Sequence, residues 1–200
     1  MSKLLASNIT SIIPCYNDGQ YIMEALQSLY NQTLLPEKII IVDDGSDAPT
    51  KKILNAINHP LVQIVYQENK GVSAARNRAI DMAQTDYIIN LDADDYFEPT
   101  FFEKAVAVFH KDQEVVAVSS YCRIFKANTT VEIIKPEGGS LKNFIVKNQS
   151  RASAMFTKKA WITVGGFDEK MKEGYEDWEF WIAILKLGGT IHVIQEVLSH

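Results

Sequence analysis

The segment Tyr87-Ile88-Ile89-Asn90-Leu91-Asp92-Ala93-Asp94-Asp95 decides the fold class. Its apolar first part is typical of a buried strand, its end carries three carboxylates, and Pro99 then suits the first turn of a helix. In open α/β sheets, ligands bind at the carboxyl ends of the strands, which is where these acids lie. Carboxylates this close repel one another unless a cation lies between them, and Mg²⁺ or Mn²⁺ prefers oxygen ligands. A helix N-cap with acidic neighbours is the alternative interpretation.

Strand and helix patterns alternate through the first half of the chain. Apolar or β-branched runs, separated by helical stripes of small and aliphatic residues, predict five strands and four helices. The strands are predicted at 9–15, 39–42, 61–66, 87–91 and 115–119, and the helices near 22–29, 52–58, 72–83 and 102–109. Alternation of this kind is typical of an α/β fold with a mostly parallel sheet and right-handed crossovers.

The second half, residues 121–200, has a less regular pattern. It contains strands or a hairpin, a glycine break, a short strand, a short helix, a longer helix with an apolar stripe and a last strand. In order, these features lie at 121–135, 138–139, 152–157, 158–164, 178–185 and 191–198. No repeat, low-complexity segment or linker separates the halves, so we expect one domain over residues 1–200.

The composition favours a globular protein and excludes several function classes. The net charge is −5, so a broad basic surface for nucleic acid is not expected. The two cysteines form no disulfide framework, which favours a reducing compartment. No run approaches the roughly 18 apolar residues of a membrane-spanning helix, and the amino-terminal apolar run is too short for a signal peptide. We therefore expect a cytoplasmic protein, with peripheral contact to the inner face of a membrane left open.

Side chains with useful chemistry follow each of the first four predicted strands, at 14–18, 43–46, 69–71 and 92–95. If the strands are parallel, these loops emerge at one edge of the sheet and converge on one ligand. Aspartates there can accept a hydrogen bond from a nucleotide base, bind a ribose hydroxyl or bind a metal. Tyr16 can stack on a base, and Arg76 can neutralise carboxylates or contact phosphate. Neither G-x-G-x-x-G nor G-x-x-x-x-G-K-[ST] occurs, which disfavours a glycine-cradled nucleotide site.

Six ordered blocks of the sequence resemble glycosyltransferase family 2, and together they run from about Thr10 to Leu198. The first three are Ser11-Ile12-Ile13-Pro14-Cys15-Tyr16-Asn17, Ile40-Ile41-Val42-Asp43-Asp44-Gly45-Ser46-Asp47 and Asn69-Lys70-Gly71-Val72-Ser73-Ala74-Ala75-Arg76-Asn77. The others are Asp92-Ala93-Asp94, similar to the family's metal-binding D-x-D, Gly165-Gly166-Phe167-Asp168-Glu169 and Glu176-Asp177-Trp178-Glu179-Phe180. Six motifs in order are far more specific than a lone D-x-D.

The resemblance implies a GT-A fold, a nucleotide-diphosphate sugar as donor and transfer with inversion. It implies a nucleotide-sugar-binding half at 1–120 and a smaller acceptor-side half at 121–200. The residues assigned to the nucleotide are Pro14, Tyr16, Asn17, Asp43 or Asp44, Asp92 and Ala93, with Arg76 beside them. Asp94 would bind Mn²⁺ or Mg²⁺, and Asp177 would be the catalytic base. Family members commonly extend past the position of His200, so acceptor-binding or membrane-associated segments could lie outside this chain.

The acceptor side of the resemblance contains Gly165, Gly166, Glu176 and Trp178. Each of these residues also has a purely structural interpretation. The glycines can simply end a helix, and the acid can favour a helix N-terminus. Trp178 can stack on an acceptor sugar, whereas Trp181, at helical spacing from Leu185, is expected in the core.

The sequence therefore predicts a metal-dependent, inverting glycosyltransferase. The donor is expected to be a UDP-sugar and the acceptor a saccharide or lipid-linked saccharide, in cell-surface polysaccharide synthesis by resemblance. A non-catalytic module that binds a nucleotide-sugar or a metal is the alternative, and Asp177 argues against it. A nucleotidyltransferase would favour a basic, glycine-rich triphosphate loop near the start, which the sequence lacks. The sequence predicts no oligomeric state.

Overall fold

In the computed structural model of the protein, the described residues form a mixed eight-stranded β-sheet with helices packed against it. The structure describes residues 7–126 and 129–200. The strands are β1 (Ile9–Cys15), β2 (Lys38–Asp44), β3 (Val62–Gln67), β4 (Tyr87–Asn90), β5 (Val115–Lys126), β6 (Thr129–Ile134), β7 (Met155–Thr157) and β8 (Thr190–Ser199). The helices are α1 (Ile22–Tyr30), α2 (Ala48–Ala56), α3 (Val72–Met82), α4 (Phe101–Lys111), α5 (Leu141–Phe144), α6 (Lys158–Val164) and α7 (Glu176–Leu185).

The first four strands form a parallel core in the order β3-β2-β1-β4. β7 pairs with β4 in the antiparallel sense and separates it from β5. β5 in turn pairs with β6 antiparallel and with β8 parallel. The predicted α/β fold with a mostly parallel sheet is therefore confirmed, whereas the insertion of β7 between β4 and β5 is not evident from the sequence pattern.

β2 and β5 are the strands that extend furthest beyond their predicted ends. Residues 39–44 of β2 are all buried, so the strand continues through Asp43 and Asp44 rather than turning after Val42. β5 likewise continues past residue 119, and its second part pairs with β6 as the predicted hairpin. Residues 127–128, between the two strands of that hairpin, lie outside the described part of the chain.

The helix prediction was wrong in two places, at α2 and at α5. α2 begins at Ala48 instead of near residue 52, because the Asp47 side chain accepts from the Thr50 amide at 2.9 Å and proline lies in the first turn. α5 is not predicted at all, since four residues are too few to show a helical stripe. Its start is fixed by a capping box between Ser140 and Asn143.

Apolar layers cover both faces of the sheet. Ile12 and Ile13 are adjacent on β1 but belong to different layers, as the two-residue period of a strand requires. The Ile13 layer includes apolar side chains of α1 and α4, and the Ile12 layer includes those of α3, α6 and α7. Phe156 of β7 lies in the second layer, so the short strand is anchored by its side chain as well as by its backbone.

The structure also bears on the cysteines and on membrane insertion. Cys15 and Cys122 are free thiols in buried positions. Burial raises the pKa of the Cys15 thiol to about 11, so it is a packed neutral group at physiological pH.

Within residues 7–126 and 129–200, no helix has both the length and the apolar character that crossing a bilayer demands.

Phe156→Ala should lower the free energy of unfolding by about 3–5 kcal/mol, because it opens a cavity in a packed layer. The Phe156 ring is fully buried and lies 5.1 Å from Phe180 and 6.0 Å from Trp181, between ring centroids. Urea denaturation followed by tryptophan fluorescence measures the change. Val131→Ala is the control, because Val131 on β6 is 61% exposed and should cost less than about 0.5 kcal/mol. Equal stabilities of the Phe156 variant and the wild type would contradict this packing.

Candidate active site

The parallel strands bring the predicted polar loops to one edge of the sheet. β1 ends at Cys15 beside Asp43 of β2, and β3 runs parallel to β2 on its far side. β4 ends at Asn90 on the other side of β1, so segment 92–95 leaves the sheet at the same edge. The convergence that the sequence predicts is therefore present, at the position where α/β sheets bind ligands.

A buried arginine joins this edge to the second half of the chain. Arg76 on α3 is 2% exposed. Its Nε donates to Asn90 Oδ1 at 3.1 Å, its Nη2 to Asp92 Oδ1 at 2.9 Å and its Nη1 to Glu176 Oε1 at 2.7 Å. Because Asp92 follows β4 and Glu176 begins α7, one guanidinium fixes the acidic loop relative to the helix that contains Asp177.

The charge of Arg76 is maintained by its two carboxylate partners. Burial opposes the cation, but Asp92 and Glu176 outweigh that effect and leave the pKa of Arg76 raised. Phe167 adds a ring whose centroid lies 5.4 Å from the guanidinium carbon. Arg76 is thus engaged inside the protein, and the predicted contact with a phosphate stays a prediction.

Four aspartates, Asp18, Asp92, Asp94 and Asp95, form an acidic group at this edge. Asp94 is exposed, whereas Asp95 is half-buried and accepts from Ser153 Oγ at 2.7 Å. Burial, followed by the charge of Asp92, raises the pKa of Asp95 to about 7. Burial and then the charges of Asp94 and Asp92 raise the pKa of Asp18, the last residue of the predicted polar loop 14–18, to which the sequence assigned no role.

The acidic group is suited to a metal that shares its ligands with a substrate. Within the described segments, no three His, Cys, Asp or Glu side chains lie close enough together to enclose a metal ion. Asp92 is occupied by Arg76, whereas the exposed Asp94 offers its carboxylate to the solvent side. Mg²⁺ and similar cations commonly bind one or two carboxylates together with water and substrate phosphates. The side chains present fit a metal of that kind.

The structure distinguishes the two aspartates at the end of β2. Asp44 is saturated by its own surroundings, since it accepts from Gln67 Nε2 at 2.7 Å and from the amides of residues 70 and 71 at 2.8 Å each. Asp43 Oδ1 accepts from the Ser46 amide at 3.1 Å, and its Oδ2 is buried with no partner among the described residues. A buried acceptor without a donor is costly, so Asp43 is the better candidate to receive an N–H group from a ligand.

The loop after β1 contains the remaining residues predicted to bind a nucleotide. Tyr16 is 51% exposed and presents its ring to solvent. Asn17 has a φ of +63°, and its amide and Oδ1 bond to the turn at residues 46–47 at 3.0 and 2.8 Å. Pro14 is half-buried in β1, and Ala93 is buried between the two aspartates of the D-x-D. Their contacts with a nucleotide stay a prediction.

Asp177 lies in the first turn of α7 with both carboxylate oxygens bonded. Its Oδ1 accepts from the Trp178 amide at 2.8 Å and its Oδ2 from Asn148 Nδ2 at 3.0 Å. Burial raises the pKa of Asp177, and the neighbouring Glu176 adds to the rise, while the two hydrogen bonds and Arg76 oppose it. A partly buried carboxylate with a raised pKa, in a polar site, is typical of a general base.

The other predicted acceptor-side residues of α7 make structural contacts. Glu176 binds Arg76, so it supports the site from inside the protein. Trp178 is half-buried, and its Nε1 donates to the Phe144 carbonyl oxygen at 2.7 Å, which joins α7 to α5. Trp181 is fully buried, which confirms the prediction that it belongs to the core. Stacking of Trp178 on a sugar stays a prediction.

Gly165 and Gly166 end α6 in the left-handed region, with φ of +84° and +90°. A Cβ on Gly166 would lie 2.7 Å from Asn77 Oδ1. That oxygen accepts from Trp161 Nε1 at 3.0 Å and from the Phe167 amide at 2.9 Å, so Asn77 needs the glycine beside it. The glycines therefore have a structural part, and their predicted role in acceptor approach is not tested by these contacts.

Two residues beside Asp177 are missing from the prediction. Asn148 reaches it from the segment between α5 and β7, with no motif to mark it. Tyr175 precedes α7 with a φ of +65° and is 71% exposed. Its ring centroid lies 6.2 Å from that of Trp178. An exposed aromatic held in a sparsely populated backbone conformation is frequent at functional sites, but only the structure reveals the conformation.

The fold and the acidic edge are those of a glycosyltransferase. The family model described as Glycosyl transferase family 2 matches residues 10–166, and the chain belongs to that family. Chondroitin synthase of Escherichia coli is 31% identical over 198 residues, which cover 92% of this chain and 27% of that protein. The chain thus spans about a quarter of the length of this relative.

Solved structures confirm the GT-A type of fold. S. aureus TarS 1–349 in complex with UDP-GlcNAc superposes with a TM-score of 0.78 at 20% identity, over 96% of this chain and 57% of that one. Mannosyltransferase PcManGT from Pyrobaculum calidifontis, in complex with GDP-Man and Mn²⁺, gives a TM-score of 0.74 at 22% identity, over 96% and 56% of the two chains. Identities this low show the fold alone.

Arg76→Met should lower the free energy of unfolding by about 3–5 kcal/mol, because Asp92 and Glu176 lose the cation that compensates them. Urea denaturation at neutral pH measures the loss. Arg78→Met is the matched control on the same helix, since Arg78 is exposed and its removal should cost less than about 0.5 kcal/mol. Similar losses in both variants would show that the buried ion pairs are not what stabilises this region.

Proposed function

We propose that the chain transfers a sugar from a UDP-sugar to a saccharide or lipid-linked saccharide, with inversion and with the help of Mn²⁺ or Mg²⁺. The Arg76 network is the observation that carries this proposal. It holds Asp92 of the D-x-D and Glu176, the neighbour of Asp177, on one buried guanidinium. The acids proposed for metal binding and for proton transfer thereby belong to one connected site.

Donor binding is proposed at the edge formed by β1, β2 and β4. The buried, unpartnered Oδ2 of Asp43 suits the imide N–H of uracil, and the exposed Tyr16 ring suits stacking on a base. Asp92 and Ala93 would lie at the ribose side, and Pro14 and Asn17 would shape the pocket. In this proposal residues 1–120 supply the donor half and residues 121–200 the acceptor half.

Asp94 is proposed as the protein ligand of the metal, because its carboxylate is exposed and Asp92 is engaged elsewhere. When bound, the metal would neutralise the negative charge that develops on the leaving diphosphate. The charges of Asp94 and of the nearby Asp18 would otherwise repel that diphosphate. Mn²⁺ in the complex of the Pyrobaculum calidifontis mannosyltransferase supports this choice of cation.

Asp177 is proposed as the general base. The acceptor hydroxyl oxygen would form a bond to the anomeric carbon while the bond from that carbon to the diphosphate oxygen breaks, and the hydroxyl proton would pass to Asp177. A single displacement of this kind inverts the anomeric configuration. General base catalysis contributes about 10²–10⁴-fold in rate. Trp178, the exposed Tyr175 and the Gly165-Gly166 turn would line the acceptor side.

The donor class and the biological setting are proposed from the relatives. The S. aureus TarS complex contains UDP-GlcNAc, and the Escherichia coli relative is a chondroitin synthase. These names support a UDP-sugar donor and a polysaccharide acceptor. Cell-surface polysaccharide synthesis in the cytoplasm, with peripheral contact to the inner face of a membrane, is the setting we propose. Because the chain spans about a quarter of that relative, the activity of the whole protein is part of the proposal.

A non-catalytic nucleotide-sugar or metal-binding module is the competing function. It would retain the acidic edge but would have no need of a partly buried, hydrogen-bonded carboxylate at Asp177. UDP release from UDP-GlcNAc, measured with and without Mn²⁺ over a panel of saccharide acceptors, separates the two functions. Metal-dependent release supports the transferase, and binding without release supports the module.

Asp177→Asn should lower the rate of UDP release by about 100-fold or more, because the amide cannot accept the acceptor proton. The affinity for UDP with Mn²⁺, measured by calorimetry, should stay close to that of the wild type. In the wild type, turnover should fall as the pH drops through the raised pKa of Asp177, because the protonated carboxyl group is not a base. Glu173→Gln, on the exposed segment before α7, is the control, and near-normal turnover of Asp177→Asn would remove Asp177 from this role.

Asp94→Ala should weaken the binding of Mn²⁺ in the presence of UDP by about tenfold or more, since it removes the carboxylate ligand. Calorimetry with Mn²⁺ and UDP measures the effect directly. Asp81→Asn provides a matched loss of one exposed carboxylate at a distance from the sheet edge. The assignment of Asp94 is wrong if both variants bind Mn²⁺ as tightly as the wild type.

A further inference from the structure

Asn148 contacts Asp177 from the segment between α5 and β7, and its amide orientation is fixed. Asn148 Nδ2 donates to Asp177 Oδ2 at 3.0 Å, and Asn148 Oδ1 accepts from the Ser150 amide at 3.2 Å. A flipped amide would set its oxygen against the carboxylate and its NH₂ against an N–H group. Only the observed orientation satisfies both neighbours, so this segment presents a donor to Asp177.

The carboxylate of Asp177 is held from two elements that are themselves joined. The Trp178 amide at the start of α7 binds Oδ1, and Asn148 binds Oδ2. Trp178 Nε1 also donates to the Phe144 carbonyl oxygen at 2.7 Å, at the end of α5. Asn148 lies on the segment that follows α5, so the bond between α5 and α7 also fixes the position of Asn148 relative to α7. Each carboxylate oxygen has two acceptor sites, which leaves one on Oδ2 for an incoming hydroxyl proton.

Asn148 supports the ionised form of Asp177 without adding a charge. Burial disfavours the carboxylate and raises its pKa, and Glu176 on the same helix does so as well. Arg76 on α3 is the cation that opposes this effect, and Asn148 and the Trp178 amide are the neutral donors. A neutral donor lowers the pKa of the base without forming an ion pair that would have to be broken on proton transfer.

We propose that Asn148 is a positioning residue that holds the Asp177 carboxylate oriented and ionised, ready to accept a proton. The inference rests on the proposed role of Asp177 as the base. The contact itself has a readout that does not depend on turnover, because the backbone amide of Trp178 donates to the same carboxylate. The chemical shifts of that amide therefore follow the ionisation of Asp177.

The first experiment is an NMR titration of the Trp178 amide in the full chain. Asp177→Asn should abolish the titration, which assigns it. Asn148→Ala should raise the midpoint by about one pH unit, because the anion loses a hydrogen bond. Asn148→Asp, which keeps the size of the side chain and so protects the fold, should raise it further, because a like charge replaces the donor.

The second experiment measures UDP release from UDP-GlcNAc with Mn²⁺ as a function of pH. The acidic limb of the profile of turnover against pH should move to higher pH in the two Asn148 variants, by the same number of pH units as the Trp178 titration. The affinity for UDP, measured by calorimetry, should stay unchanged. Asn143→Ala is the structural control, since Asn143 Oδ1 accepts from the Ser140 amide at 3.0 Å and caps α5. It should lower thermal stability and leave both the titration and the acidic limb in place.

An unshifted Trp178 titration in both Asn148→Ala and Asn148→Asp would overturn the proposal, whatever their turnover. A loss of turnover with an unshifted acidic limb would also overturn it, because a purely structural contact behaves in that way. Wild-type turnover of Asp177→Asn would overturn the proposed function instead. The outcomes are distinguishable, because the titration reports on the contact and the Asp177 variant reports on the base.

Discussion

The buried guanidinium of Arg76 is the interaction on which the rest of the site depends. Its three partners lie 14, 16 and 100 positions away along the chain. An arginine that is almost completely buried is tolerated only when its charge is compensated and its N–H groups are bonded, and Asp92 and Glu176 provide both. The end of β4, the middle of α3 and the start of α7 are therefore fixed relative to one another before any ligand binds.

This arrangement divides the acids of the site into two kinds. In each acidic motif, one carboxylate binds mainly to other parts of the protein, and its neighbour retains an acceptor site for a ligand. The first kind are Asp44, Asp92 and Glu176, which bind the 70–71 amides or Arg76, and their neighbours are Asp43, Asp94 and Asp177. Pairs of similar residues can thus serve separate purposes, because the structural member holds the loop in place while the other faces outward or remains unsaturated.

Local sequence patterns predict most of the strands and helices. They do not predict contacts between segments that are far apart along the chain. Buried strands such as β2 and the stripes of α3 and α7 follow from local periodicity. β7 has three residues and an antiparallel neighbour on each side, so its position depends on pairing that no local pattern encodes. The same limit applies to the site. Motifs identify Asp94 and Asp177. They do not show that Glu176 binds Arg76 or that Asn148 binds Asp177, because these contacts exist only in the folded chain.

The late position of β7 in the sequence has a consequence for biosynthesis. β4 gains its second neighbour only from residues 155–157, so a nascent chain that has formed β1 to β4 still has an open hydrogen-bonding edge. Open edges of this kind recruit strands from other molecules, and long-range pairing is slow. Until the ribosome has delivered Thr157, the emerging polypeptide is exposed to aggregation, and shielding by a chaperone would matter most in that interval.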